Sequence, residues 1–168
     1  MALTQVIGSG IGQVTDIKIG GSGSANTLDD YEVGSWTPII TGSSSAGSCT
    51  YSSQLGRYVK IGKQVSCWGQ LASSSTPTGT GNLQVSGFPF TKENSILPWG
   101  PETSIAYFFG FTSYGTATDT LRLLGPVSNG TFARFHSFNN RGDTSAPPTP
   151  ANFVSGANLY FSVTYEVQ

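Results

Sequence analysis

The longest stretch of the chain without glycine or proline is Ala157–Gln168, and it is only 12 residues long. Apolar side chains occupy every second position of its later part, at Leu159, Phe161, Val163, Tyr165 and Val167. Successive side chains of a strand point to opposite faces, so this alternation predicts a half-buried β-strand. Elsewhere, 22 glycines and 9 prolines among 168 residues interrupt the chain too often for long helices. The chain is therefore restricted to a β-rich fold.

Shorter runs upstream repeat the alternation between turn-forming residues. Apolar or small residues occupy alternate positions in three runs: Val65, Cys67, Gly69 and Leu71 in the first, Leu83 and Val85 in the second, and Ala133 and Phe135 in the third. Gly62-Lys63 has the composition of a two-residue hairpin turn. Eight or nine short strands at this spacing predict an all-β fold, an antiparallel β-sandwich or jelly-roll-like knob.

One run, Ile105–Phe111, is apolar on both parities. A strand with this pattern is expected to be buried on both faces. One of those faces could be a subunit interface.

Charged residues make up only 10% of the chain, against about 25% in an ordinary soluble domain. The net charge of −1 lacks the excess of basic residues that nucleic-acid-binding proteins carry. No apolar run approaches the ~20 residues of a membrane helix, and the opening MALTQVIGSGIGQV lacks the regions of a secretory signal. The 20 aromatic residues are too many for a disordered chain. We therefore expect a folded protein that does not bind nucleic acid and does not insert into a membrane.

Two cysteines, Cys49 and Cys67, are too few for a disulfide framework. The stretch between them is predicted to form a turn, a strand and a turn, which places the cysteines on strands separated by a third, about 10 Å apart. A disulfide needs Cα atoms within about 7 Å. We therefore expect two free, buried thiols.

Groups suited to catalysis or metal binding are sparse. The single histidine, His136, alternates with core residues of a predicted strand and is interpreted as structural rather than as a catalytic base. The carboxylate cluster Asp29-Asp30-Tyr31-Glu32 lacks the pattern of a calcium-binding loop and is interpreted as a polar junction rather than a cation site. The sequence contains no nucleotide-binding, zinc or nucleophile motif. We expect no catalytic residue, no metal and no cofactor.

The first 28 residues differ from the rest. Apolar residues are scattered among glycines, at Leu3, Val6, Ile7, Ile11, Val14, Ile17 and Ile19. A Gly/Ser joint follows at residues 20–24. The segment is either a strand tucked into its own sandwich or an arm that docks on another subunit, and the joint favours the arm because a tucked strand gains little from a hinge. The chain is thus divided into an attachment arm, residues 1–28, and a β-sandwich domain, residues 29–168.

Two loops are candidates for ligand binding. Trp99 lies between prolines in a rigid loop without strand alternation, and is either a plug over the end of the sandwich or a stacking platform for a sugar or a partner. A second loop is held extended by its prolines and carries Asn139, Asn140, Arg141 and Asp143. Few charges with many amides, hydroxyls and aromatic rings suit a surface that binds neutral saccharide, and equally suit an inert shell protein.

Three segments resemble a known family: Asp30-Tyr-Glu-Val-Gly-Ser-Trp-Thr-Pro38, Tyr51-Ser-Ser-Gln-Leu-Gly-Arg-Tyr-Val-Lys-Ile-Gly-Lys63 and Thr80-Gly-Asn-Leu-Gln-Val-Ser-Gly-Phe-Pro-Phe90. With the closing strand, they resemble a β-rich domain at the C-termini of bacteriophage tail-fibre and virion surface proteins, notably in phages of aquatic bacteria. The resemblance covers residues 29–168, and the opening MALTQVIGSGIGQV is similar to the start of such proteins. It implies a homotrimeric virion protein without catalytic activity, assembled in the host bacterial cytoplasm.

The resemblance also implies roles for the candidate residues. A trimer would bury the apolar strand at its axis, through Ile105, Tyr107, Phe109 and Phe111. The loops with Trp99 and 139–143 would recognise a bacterial surface saccharide, and the arm would dock on tail, baseplate or capsid proteins. The first hypothesis is that the protein acts as a short tail fibre or baseplate knob that attaches the phage to its host. The alternative is a trimeric capsid decoration or head-fibre protein that stabilises the shell, and a third is a glycan depolymerase, which needs two carboxyl groups at a groove.

Overall fold

The computed structural model describes residues 17–18, 27–28, 30–94, 102–112, 120–127, 129–138 and 144–167. These ranges hold twelve β-strands and a three-residue 3₁₀ helix, Pro150–Asn152. The strands are β1 Ile17–Lys18, β2 Thr27–Leu28, β3 Tyr31–Trp36, β4 Ile39–Gly42, β5 Tyr51–Ile61, β6 Gln64–Ser73, β7 Leu83–Ser86, β8 Glu102–Phe111, β9 Thr120–Pro126, β10 Phe132–Phe138, β11 Thr144–Ser145 and β12 Phe153–Glu166. Nine strands are longer than two residues, in line with the eight or nine expected.

Ten of the strands form two sheets joined at one point. The first sheet has the order β3-β5-β6-β12-β8, and the second has the order β9-β10-β7-β4 with β11 beside β10. β8 joins the sheets because Glu102 and Thr103 pair with Leu124 and Leu123 of β9. β1 and β2 pair with each other. The prediction of an all-β, antiparallel sandwich is confirmed.

The core lies between the inner faces of the two sheets. The buried side chains of and just after β12 are those that the alternation predicts: Leu159, Phe161, Val163, Tyr165 and Val167. The second sheet contributes Leu83, Val85, Leu123, Ala133 and Phe135. Between the layers, Trp36 stacks on Phe88 with ring centroids 4.6 Å apart, and Phe111 meets Phe153 edge-on at 5.1 Å.

Glycines in the first sheet let aromatic rings lie directly beneath its backbone. A Cβ on Gly69 would come within 2.3 Å of the Phe161 ring, and a Cβ on Gly56 would come within 2.6 Å of the Trp36 side chain. The Trp36 indole N–H donates to the carbonyl oxygens of Arg57 and Trp68, at 3.2 and 3.1 Å. The indole thus ties β5 to β6 from inside.

The cysteine environment differs from the prediction. β5 is one 11-residue strand that begins at Tyr51, so Cys49 precedes it and Cys67 lies in β6 beside it. No third strand separates them, because the predicted first turn is part of β5, whereas the turn at Gly62-Lys63 is confirmed. Both thiols are free, as predicted, but only Cys67 is buried and Cys49 is half-buried.

β8 confirms the predicted strand, and part of it is exposed in the single chain. Tyr107, Phe108 and Phe109 are 52%, 39% and 61% exposed, so one chain alone does not bury both faces of this part of the strand. Tyr107 and Phe109 lie opposite Tyr160 and Asn158 and point to the outward side of the sheet, and β9 pairs only with the start of β8, which leaves the later part paired with β12 alone. Phe111 turns inward and packs against Phe135 and Phe153.

Candidate functional site

The outward side of the first sheet, here called the outer face, concentrates the exposed apolar side chains. Of the ten large hydrophobic residues that are exposed in the described chain, eight lie there: Tyr31, Val33, Leu55, Ile61, Trp68, Tyr107, Phe109 and Tyr160. All five strands of the sheet contribute to it. Monomeric proteins rarely expose contiguous apolar patches beyond a few hundred Å². The outer face is therefore the candidate functional site.

Strand register places the apolar residues of this face side by side. Tyr107 of β8 lies opposite Tyr160 of β12, and Tyr160 lies opposite Gln70 of β6. Gln70 in turn lies opposite Leu55 of β5. The two tyrosine rings meet edge-on with centroids 5.8 Å apart, and the Gln70 amide donates a hydrogen bond to the Tyr160 hydroxyl at 3.1 Å. One continuous row thus crosses four strands.

A groove of about 420 Å³ lies along this row. The outer-face residues that line it are Leu55, Arg57, Trp68, Gln70, Tyr160 and Ser162. The Trp68 side chain is 49% exposed, so half of its indole is open to a ligand or a partner. Such a ring packs on a sugar or on the apolar side chains of another protein. This lining, drawn from the described residues, contains no carboxyl group of the kind that glycoside hydrolases use in pairs.

The outer face carries two charges among its described side chains, Arg57 and Glu166, and both are exposed. The ion pairs found in the described ranges, Lys60 with Asp30 and Lys63 with Glu93, involve neither of them. The described side chains of the face are therefore apolar or uncharged except at these two points.

The carboxylates at the start of β3 are tied to the neighbouring strand. Asp30 pairs with the Lys60 ammonium, and the Tyr58 hydroxyl donates to the Glu32 carboxylate. The hydrogen bond to Glu32 raises the pKa of Tyr58. No group of three or more His, Cys, Asp and Glu side chains within the described part of the chain is placed to hold a metal ion.

Burial shifts the pKa values of several titratable groups away from the groove. Burial raises the pKa of Cys67 to about 12, and it also raises the pKa of Tyr165, whose hydroxyl donates to the Phe90 carbonyl at 3.1 Å. Burial lowers the pKa of Lys92, and burial together with the charge of Arg134 lowers the pKa of His136. None of these groups lines the groove.

Most of the site residues suggested by the sequence lie outside the described residues. This holds for the loop residues Trp99, Asn139, Asn140, Arg141 and Asp143, and for the arm residues Leu3, Val6, Ile7, Ile11, Val14 and Ile19. Ile17 pairs with Leu28 in the β1–β2 ladder. Of the suggested interface residues, Tyr107 and Phe109 lie on the outer face, Phe111 points into the core, and Ile105 is described only by its backbone, opposite Phe161.

Sequence reasoning missed the larger part of the outer face. Trp68, Leu55 and Tyr160 occupy the parity that alternation assigns to solvent. A large aromatic residue at a solvent-facing position between two core residues is the sequence feature that could have identified this face.

No family model matches the sequence, and no curated protein matches it. Among solved structures, the fold is similar to the Dettilon tailspike protein (gp208). The similarity has a TM-score of 0.65 and 17% sequence identity, and it covers 81% of this chain. The chain corresponds to 24% of the length of that tailspike chain. At this identity the match shows a common fold, the antiparallel sandwich.

Proposed function

We propose that the chain is a non-enzymatic structural protein of a bacteriophage virion. In this proposal the sandwich domain, residues 29–168, forms a homotrimer, and the arm, residues 1–28, docks it on other virion proteins. The protein acts as a short tail fibre or baseplate knob, and its outward loops attach the particle to a saccharide of the bacterial surface.

The observation that carries the proposal is the apolar outer face. A sandwich with eight exposed large apolar residues on one sheet face suits a subunit of an assembly. The fold similarity to a tailspike supports a virion protein, and the low content of charged residues suits subunits that associate through apolar surface.

Native mass spectrometry of the full chain tests the assembly. The expected species has three times the 17.6 kDa mass of one chain. A stable monomer at micromolar concentration contradicts the proposal.

Deletion of residues 1–24 tests the arm. We expect a soluble trimer that no longer enters phage particles, because the deletion leaves every described strand from β3 to β12 intact and removes most of the proposed docking arm. Incorporation of the shortened chain at the normal level contradicts the role of the arm.

Adsorption of particles to host cells tests the loops. Trp99→Ala should reduce adsorption, whereas Ile39→Ala, which shortens an exposed apolar residue of the second sheet, should leave it unchanged. Equal adsorption by the Trp99 variant and wild type contradicts a binding role for that loop.

Position on the particle separates attachment from the alternative. A labelled chain found in a few copies at the tail supports attachment, whereas many trimers spread over the head support capsid decoration. Release of reducing sugar from host polysaccharide would instead reveal a depolymerase.

A further inference from the structure

The area of the outer face is that of a protein interface. At about 200 Å² per aromatic side chain, exposed fractions of 37–65% leave roughly 500 Å² open on its five aromatic residues. Val33, Leu55 and Ile61 add to this area. The total approaches the ~800 Å² that one partner contributes to a standard interface. A sugar in the groove would cover a small part of it.

The two charges of the face are too far apart to neutralise each other. Arg57 lies opposite Trp68, Trp68 lies opposite Ser162, and Glu166 follows Ser162 by four residues along β12. Two strand spacings and four residues place their backbones roughly 17 Å apart. That separation exceeds both an ion pair and the ~8 Å screening length of physiological salt.

The two charges also lie on opposite halves of the face. β6 runs through the middle of the sheet, Arg57 belongs to the β3–β5 half, and Glu166 belongs to the β12–β8 half. A purely apolar partner would bury both charges without a counter-charge, which is strongly unfavourable. A second copy of the chain presents the missing charge on the matching half.

We infer that the outer face binds a second copy of this chain, with the β3–β5 half of one copy against the β12–β8 half of the next and Arg57 opposite Glu166. The inference rests on the proposed homotrimer and specifies its contact surface. When the two halves of each copy contact two different neighbours, the contact is heterologous, and three such contacts close a ring. The groove at Trp68 then accepts apolar side chains of the neighbour.

Charge reversal tests the pairing without touching the core, because both side chains are exposed. Arg57→Glu and Glu166→Arg should each raise the trimer dissociation constant by at least about tenfold, because like charges then face each other. The double variant should return to within about threefold of wild type, since the pair is restored with its signs exchanged. Arg57→Lys, which keeps the charge, should retain most of the assembly.

Arg122→Glu is the matched control, because it makes the same change at an exposed position of β9 in the second sheet. It should assemble like wild type. Sedimentation velocity over a concentration series measures all variants, and circular dichroism checks that each is folded.

The outcomes separate the inference from the proposed function. A monomeric wild type overturns both. A wild-type trimer that survives both single reversals, or single losses that the double variant does not recover, overturns the pairing while the trimer stands. A wild-type dimer that follows the charge-swap pattern supports the pairing and overturns the threefold assembly.

Discussion

The inner and outer faces of the first sheet are built from the same strands, and alternate residues of each strand belong to one face or the other. On β12, Phe161 packs between Trp36 and Phe88 in the core, whereas Tyr160 next to it is exposed. On β6, Cys67 is buried and the adjacent Trp68 is half exposed. Alternation normally separates apolar from polar residues. Here it separates two apolar sets, and only one of them is covered within a single chain.

The inner face should dominate the stability of the single chain. Phe161→Ala removes a buried ring that packs against Trp36 and Phe88, and we expect it to lower the free energy of unfolding by about 3–5 kcal/mol. The neighbouring Tyr160→Ala should cost the single chain less, about 1–2 kcal/mol, since its ring is 37% exposed and loses only the edge contact with Tyr107 and the hydrogen bond from Gln70. Urea denaturation curves of both variants, recorded at the same low protein concentration, measure the difference. Equal losses would break the distinction between the faces.

A smaller effect is expected from adding a single methyl group to the inner side of β6. In Gly69→Ala the new Cβ would collide with the Phe161 ring, so unfolding should become easier by about 1–3 kcal/mol. The control is Ser66→Ala on the outer face of the same strand, where the lost hydroxyl contacts only Thr164 at 3.0 Å. That change should cost about 0.5–1 kcal/mol. Denaturation curves in which Ser66→Ala is the more damaging variant would contradict this ranking.

High pH should act on the inner face through Cys67. Burial raises its pKa to about 12, while the unfolded thiol ionises near pH 9. The unfolded state is therefore stabilised as pH rises from 9 towards 12, and stability present below pH 9 falls by about 1 kcal/mol by pH 10. Cys67→Ala should flatten this decline, leaving the part that comes from the other groups whose pKa values are raised, Cys49, Tyr51, Tyr58 and Tyr165. Urea midpoints at pH 8, 9 and 10 that fall equally in both proteins would exclude Cys67 as the cause.

Thiol labelling gives the mildest test. Cys49 is half-buried near one end of β5, and Cys67 is buried in the core. A maleimide reagent at pH 8 should modify Cys49 first, with Cys67 slower by at least about tenfold, because Cys67 must wait for the sheet to open. Mass spectrometry of the digested protein distinguishes the two sites, and comparable labelling rates would argue against a closed core.

Much of the sandwich was predictable because apolar and polar residues alternate along its strands. The alternation through Leu159 and Phe161 identified β12 and its buried side without any tertiary information. Alternation does not encode which strands pair, and the neighbours of β12, namely β6 and β8, come from distant parts of the sequence.

The outer face was only partly predictable for the same reason. Tyr107 and Phe109 stood out because their strand is apolar on both parities. Trp68 and Leu55 did not, because each is a single large residue among polar ones, and only strand register brings them together with Tyr160. The distance between Arg57 and Glu166 likewise follows from sheet order and not from spacing along the chain.

The position of β12 has a consequence for synthesis. It is later in the sequence than every other described strand, yet it lies between β6 and β8. About 80 residues separate the end of β6 from the start of β12, which corresponds to roughly 4–16 s of translation. Throughout that interval one edge of β6 on the nascent chain has no native partner and can pair with a neighbouring polypeptide on the same message. We expect slower translation between the two strands to lower the yield of soluble protein.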